Sequence, residues 1–154
     1  MSTFTKLTYH VVFSTKYRRQ TITEEIRQQL YEYIGGIIRA QKGHLIEIGG
    51  VEDHIHLLVN FSPVNSVSAS VRDIKANSSK WFNELPEVGT RFKWQTGYSA
   101  FTVSHSQIET VRQYISNQQE HHRTKTFEQE YIEFLNRHGI EYDRKHLFEH
   151  EHHA

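Results

Sequence analysis

The stretch Asp53-His54-Ile55-His56-Leu57-Leu58-Val59 constrains this chain more than any other. Side chains of a strand alternate between its two faces. Ile55, Leu57, Val59 and Phe61 therefore form one buried row, while His54 and His56 project together from the opposite surface. Two neutral imidazoles side by side are half of a metal site. Tyr114 and Gln118, in the helical stretch Val111 to Gln119, stand four residues apart and so on the same side of a helix. They offer a further ligand and a group for a metal to act with.

At 154 residues the chain is long enough for one domain with a real core, or a domain plus an appendage. No apolar run approaches the roughly 20 residues that span a bilayer, and MSTFTKLTYH lacks the apolar core of a signal peptide. A cytoplasmic protein with no membrane partner is the expectation. With no cysteine, thiolate zinc sites and a cysteine nucleophile are excluded, so any metal must use nitrogen and oxygen ligands. The net charge is zero, but residues 1–118 carry 13 basic and 10 acidic side chains and residues 119–154 carry 5 and 8. Phosphate binding would have to come from local patches.

Along the chain, Lys6 to Ser14 alternates as a half-buried strand and runs into Lys16-Tyr17-Arg18-Arg19, three cations around an aromatic. Such a cluster suits phosphate contact with base stacking, though by itself it reads equally as a solvated loop. Thr21-Ile22-Thr23-Glu24 fits a capping box, and Ile26, Leu30, Ile34, Ile37 and Ile38 predict a first helix over Glu24 to Gln41. Leu45, Ile46 and Ile48 predict a second strand, with Gly49-Gly50 as the turn into the His54 strand. Ser66 caps a second helix whose stripe is Val67, Val71, Ile74, Ser78 and Trp81 or Phe82, with Arg72, Lys75 and Lys80 elsewhere on it. After a loop from Leu85 to Thr96, Tyr98 to Val103 predicts a fourth strand, and Ser104 or Ser106 a third helix with Ile108, Val111 and Ile115 inward.

That order makes an α+β ferredoxin-like sandwich: a four-stranded antiparallel sheet, helices on one face, and an open second face from which His54 and His56 look out. Beyond Gln119 the composition changes. Residues 121–154 form an extension to the domain of residues 1–120, with Phe127, Tyr131, Phe134 and Leu135 on a short helix ending near Gly139. His150-Glu151-His152-His153 is at most a weak adventitious chelator.

With 12 histidines in the chain a His-x-His pair is unsurprising, and alone it reads as structural. The combination is more specific. Asp53-His54-Ile55-His56 ahead of hydrophobic strand residues resembles the His-hydrophobic-His motif of the HUH nucleases. Val111-Arg112-Gln113-Tyr114-Ile115-Ser116-Asn117-Gln118-Gln119 resembles the nucleophile helix of their single-tyrosine transposases, the IS200-like insertion-sequence family and its REP-associated relatives. Tyr9-His10-Val11-Val12-Phe13, leading into Lys16-Tyr17-Arg18-Arg19, resembles the family's opening strand.

The resemblance implies that Tyr114 is the nucleophile and that His54, His56 and Gln118 hold Mg²⁺ or Mn²⁺. It implies a transposase that cuts single-stranded DNA at hairpin-flanked ends and rejoins it through a 5′-phosphotyrosine. It also implies a homodimer in which the tyrosine helix of one subunit completes the other's site, with Gly97 as a point of swing. DNA-contact candidates are His10, Lys16, Tyr17, Arg18, Arg19, Arg72, Lys75 and Lys80. The rival reading is a non-catalytic nucleic-acid-binding module, since ferredoxin-like sheets display aromatics for base stacking. A metal-binding structural protein is a third, and a zinc hydrolase is disfavoured because His-Glu-x-x-His is absent.

Overall fold

A computed structural model describes residues 1–88 and 91–148. Four strands, β1 (Thr8–Ser14), β2 (His44–Val51), β3 (His54–Asn60) and β4 (Ser99–Thr102), form one sheet in the order β2-β3-β1-β4. Every neighbouring pair is antiparallel. Helix α1 (Glu24–Ala40) follows β1 and helix α2 (Val67–Asn83) follows β3. This is the ferredoxin-like order expected from the sequence.

Alternation sorts the sheet. Val11, Phe13, Ile55, Leu57 and Val59 all pack in one core with Leu30, Ile34 and Ile38 of α1 and Val71, Ile74 and Phe82 of α2. Leu45 and Ile48 of β2 both join that core although they lie three apart, because a bulge between Leu45 and Glu47 shifts the register. In α2, Ser66 Oγ accepts from the Ala69 amide as the expected cap, and Phe82 takes the buried position while Trp81 stacks on Tyr33. Thr23 stands at the cap of α1 without a side-chain cap bond. The loop after α2 alternates too: Phe92 and Trp94 point into the core, Trp94 Nε1 donating to Ser78 Oγ, and Arg91 and Lys93 point out.

Gly49 and Gly50 are not the hairpin turn. They lie within β2, and Glu52-Asp53 makes the turn. A Cβ on Gly49 would stand 2.2 Å from the carbonyl oxygen of Ile115, so this glycine is there for close approach of the helix that carries Tyr114. That helix, α3 (Ile108–Ser116), follows a one-turn 3₁₀ segment at His105–Gln107 and crosses edge strand β2. It ends sooner than its sequence pattern implies, because Asn117 leaves helical geometry (φ −98°, ψ 18°). Gln118 starts a separate short helix, α4 (Gln118–His121).

The second sheet face is not open. Helix α5 (Phe127–Arg137) and the single turn α6 (Arg144–Leu147) lie over it. Thr126 and Gln129 form a capping box that starts α5. An amphipathic helix must bury its apolar stripe, and the face carrying Val12 and Phe101 is where this one does so. Phe134 stacks on Phe101 at 5.7 Å between centroids, Phe127 lies 4.3 Å from the His54 ring, and the Ser99 and Tyr131 hydroxyls share a hydrogen bond. Each side chain of this size, fully buried, is worth about 1.5–3 kcal/mol. The extension therefore packs on the body, with His54 and His56 fully buried beneath it. His150-Glu151-His152-His153 lies outside the described residues. Among the described residues, no helix is long and apolar enough to cross a membrane.

Candidate functional site

The site is built where β3, α3, α4 and α5 meet. Pairing of β3 with β2 sets His56 opposite Gly49 and His54 opposite Val51. Opposed residues in an antiparallel pair share a face, so the missing side chain at Gly49 leaves room for α3 directly beside His56. Tyr114 consequently stands against its own chain's paired imidazoles, with ring centroids 5.9 Å from His56 and 6.3 Å from His10.

Glu130, on α5, occupies the centre. Its Oε1 lies 3.1 Å from His56 Nε2, 3.3 Å from His54 Nε2 and 3.1 Å from His122 Nε2. Its Oε2 accepts hydrogen bonds from the Tyr114 hydroxyl and from Gln118 Nε2 (3.0 Å), and His121 Nε2 lies 3.3 Å away. Gln118 Oε1 is 3.2 Å from His54 Nε2. All three imidazoles around Oε1 are held from behind: His54 Nδ1 by Asp53 Oδ1 at 2.7 Å, His122 Nδ1 by the Lys125 carbonyl at 2.7 Å, and His56 Nδ1 by His10 Nε2 at 2.8 Å.

Burial drives the electrostatics. It pushes His56 down to about 4, and burial together with the charge of His56 puts His10 well below the usual imidazole range. Burial also pulls on His54, but its bonds to Asp53 and Glu130 outweigh that and raise it. Burial alone would raise the Glu130 carboxyl, yet its bonds with His122, His54 and His56 hold it far below the carboxylate range. Tyr114 is raised by burial first and by the Glu130 charge second, so the phenol is protonated at neutral pH.

His54, His56, Gln118 and Tyr114 are thus brought together in one chain. Sequence reasoning missed Glu130, His122 and His121. A signal existed for Glu130: with Phe127, Tyr131 and Phe134 it falls at helical spacing i, i+3, i+4, i+7, a carboxylate set into an apolar stripe. His122 stands four residues after Gln118 on the same pattern.

The DNA-contact candidates separate. His10 is buried under Phe134 and bonded to His56, so it is part of the site's interior and presents no surface to a ligand. Lys75 is committed to the backbone, donating to the carbonyls of Gln95 (2.6 Å) and Gly97 (2.7 Å). Arg18 Nη2 lies 3.7 Å from Glu128, and its guanidinium sits over Phe148. Arg19, Arg72 and Lys80 are exposed and Lys16 and Tyr17 half-buried. Lys16, Tyr17 and Arg19 line one cleft with Arg91 and Lys93. Tyr17 and Arg18 hold the left-handed region at φ 59° and 50°, a strained pair that turns this cluster outward from β1. Gly97, at φ 91°, lies ahead of β4, and the connection from β4 to α3 is Val103–Gln107.

Comparison with known proteins bears on what such a site does. Residues 3–118 match the family model described as "Transposase IS200 like". The transposase for insertion sequence element IS200 of Salmonella typhimurium is 31% identical over 117 residues, covering 73% of this chain and 76% of that protein. The ISDra2 transposase TnpA of Deinococcus radiodurans is 25% identical over 118 residues, covering 73% and 84%. A crystal structure of a Deinococcus radiodurans R1 protein described as a transposase superposes with a TM-score of 0.59 at 27% identity, over 77% of this chain and 95% of that one. A REP-associated tyrosine transposase bound to a REP hairpin shares the fold, with a TM-score of 0.56 at 17% identity over 75% of this chain and 70% of that one.

Proposed function

The chain belongs to the IS200-like transposase family, and from that premise we propose that it cuts and rejoins single-stranded DNA at hairpin-flanked ends, with Tyr114 as nucleophile. The observation that carries this reading is the meeting of the Tyr114 hydroxyl with the paired imidazoles of His54 and His56 around one carboxylate. A nucleic-acid-binding module has no use for a phenol aimed at buried imidazoles.

The donor set fits a cation. His54, His56, His122 and Glu130 each offer one ligand atom, and these atoms all lie within 4.8 Å of one another. Mg²⁺ or Mn²⁺ is the family expectation, and imidazole nitrogen favours Mn²⁺. A bound dication would polarise the scissile phosphodiester as a Lewis acid.

The protein's own groups then do the following. Tyr114 attacks phosphorus as its O–H proton leaves, with His121 Nε2 of α4, 3.2 Å away, within reach to receive it. A bond from phosphorus to the Tyr114 oxygen forms, the bond to the DNA 3′-oxygen breaks, and that oxygen takes up a proton from water and leaves as a hydroxyl. The 5′ end stays on tyrosine as a phosphodiester with a phenolate leaving group, which a 3′-hydroxyl can later displace. Because His54 and His56 are covered by α5, entry of a strand requires that helix to move aside.

Contacts within the chain favour Tyr114 acting on its own subunit's histidines. A homodimer that exchanges α3 through the Val103–Gln107 connection is a second arrangement of the same contacts. For DNA, the exposed cations Arg19, Arg91 and Lys93 with half-buried Lys16 are the best-placed partners of phosphate.

The test is incubation of a labelled hairpin-flanked single strand with Mn²⁺ or Mg²⁺, followed by denaturing electrophoresis. A protein-linked band that Tyr114→Phe abolishes is expected. Its absence over a range of hairpin-flanked ends would contradict the reading.

A further inference from the structure

We propose that the groove between α2 and residues 93–98 is a binding site for one unpaired nucleotide of the single strand that flanks a hairpin, its base laid on Tyr98 and its phosphate on Arg72. That the strand is DNA rests on the transposase reading above. The site itself lies on the helix side of the sheet, away from the paired imidazoles.

Strand pairing makes the groove. Trp94 faces Thr15 across an isolated bridge, the Gln95 amide donates to the Ser14 carbonyl at 2.8 Å, and pairing resumes with Ser99 opposite Val12. Thr96, Gly97 and Tyr98 therefore stand against Phe13 alone, and this surplus of chain loops out, exposed. Lys75 pins the loop from α2. Its ammonium donates to the Gln95 and Gly97 carbonyls at 2.6 and 2.7 Å and lies 5.6 Å from the centre of the Phe13 ring. A loop held in this way leaves a preformed groove of about 550 Å³, within the usual range for a small-ligand site.

Its lining matches a nucleotide. Lys16, Arg72, Lys75 and Lys93 line it, and among the described residues no carboxylate does. Asp73, the one acidic residue of α2, is spent on Gln41 Nε2 (2.9 Å) and Asn77 Nδ2 (2.7 Å). Val71, Ala76 and Trp94 supply apolar surface, and Tyr98 stands at the rim, 38% exposed. Every base has a π-face to stack on such a ring. Gln95 Oε1 is buried with no hydrogen-bond partner among the described residues, an acceptor that the N–H edge of an unpaired base would satisfy. In a hairpin stem that edge is used in pairing and the bases are stacked inside, so a stem reaches only the cationic rim.

The groove also leads toward the histidines. Lys16 and Lys93 line both it and the cleft of Tyr17, Arg19 and Arg91. The Thr15 amide, donating to the Asp53 carbonyl at 2.8 Å, ties that turn to the start of β3 beside His54. A nucleotide seated on Tyr98 thus anchors the strand at the far end of a cationic track.

The experiment measures binding by fluorescence anisotropy with full-length Tyr114→Phe protein, which leaves the strand uncut. The probes are a hairpin with single-stranded flanks, the same hairpin without flanks, and flanked hairpins with one abasic site placed at each flank position in turn. One abasic position should weaken binding by at least about fivefold, the loss of a stacked base. Adding Tyr98→Ala should weaken the intact flanked hairpin by a similar factor and erase that abasic effect, because one stack is lost only once. Tyr98→Phe, which keeps the ring, should retain both the affinity and the abasic effect. Arg72→Ala should weaken the flanked hairpin by about fivefold and the unflanked one by less than about twofold, and so should Ala76→Trp, which fills the groove from an exposed helix position without removing a charge. No sensitive abasic position, an abasic loss of the same size with and without Tyr98, or equal losses on flanked and unflanked hairpins would each overturn the proposal. So would unchanged binding in both Arg72→Ala and Ala76→Trp. An abasic effect that Tyr98→Ala erases, together with no Tyr114 adduct in the wild type, would instead sink the cleavage reading and leave this site standing.

Discussion

His56 Nε2 lies 3.1 Å from Glu130 Oε1 although 74 residues separate them. The pair joins β3, at the centre of the domain, to a helix of the extension. The extension is thereby part of the site's interior, and its removal would strip the paired imidazoles of their cover and of their central carboxylate.

Phe134 is the main apolar contact of that cover, packed on Phe101, His10 and Tyr114. Phe134→Ala should cost about 3–5 kcal/mol of the extension's docking. Hydrogen exchange should rise in α5 and at Tyr114 while α1 and α2 keep their protection. Uniform loss across all helices would show that the extension and the body unfold as one unit.

Gly49→Ala tests how the nucleophile is placed. The new methyl would stand 2.2 Å from the Ile115 carbonyl, which is backbone and must move. Overpacking of this kind costs about 1–3 kcal/mol. Displacing α3 should cut adduct formation at least tenfold, with Co²⁺ binding by the histidines retained. Unchanged adduct formation would mean that Gly49 does not set the position of Tyr114.

Which subunit supplies the tyrosine can be read by mixing. Tyr114→Phe and a His54→Ala/His56→Ala double variant are each inactive by this account. A tyrosine working within its own chain predicts that the mixture stays inactive. Recovery of cleavage would establish α3 exchange between subunits.

The cationic cleft predicts a salt signature. Arg91→Ala and Lys93→Ala should weaken hairpin binding to a similar degree for different sequences. Each should reduce the slope of log affinity against log salt by about 1. An unchanged slope would remove these residues from the DNA path.

Lys75 carries a pH signature. Burial lowers its ammonium to about 8, from an ordinary value of 10.5. Between those values the folded chain binds fewer protons at this site than the unfolded chain, so unfolding free energy rises with pH across that window. Wild type should therefore gain stability relative to Lys75→Met as pH climbs from 8 to 10.5, measured by urea midpoints. A pH-independent difference would show that the ammonium stays charged in the fold.

Much of the architecture was legible because two periods encode it. Alternation in β1 and β3 and helical spacing in α1 and α2 assign each apolar side chain to one core. Gly49-Gly50 misled because a glycine needed for close approach looks the same in sequence as a glycine needed for a turn. The break at Asn117 was hidden because Tyr114 and Gln118 still converge after it, through α4 instead of a continued helix. The larger gap was the extension. Its apolar stripe was readable, but which surface it would cover depends on a sheet face assembled from strands far away in the chain. Glu130 lay in that stripe as the one carboxylate, a conflict with burial that the imidazoles of His54, His56 and His122, the Tyr114 hydroxyl and the Gln118 amide together resolve.

The mass of the DNA-linked peptide identifies the nucleophile without intermediate steps. Protein trapped with a hairpin-flanked single strand, digested with nuclease and trypsin, should carry a 5′-phosphorylated nucleotide on the peptide spanning residues 113–123, fragmenting to Tyr114. The same mass on Tyr17, Tyr131 or any other residue, or cut DNA bearing a free 5′-phosphate with no linked peptide, would contradict the account.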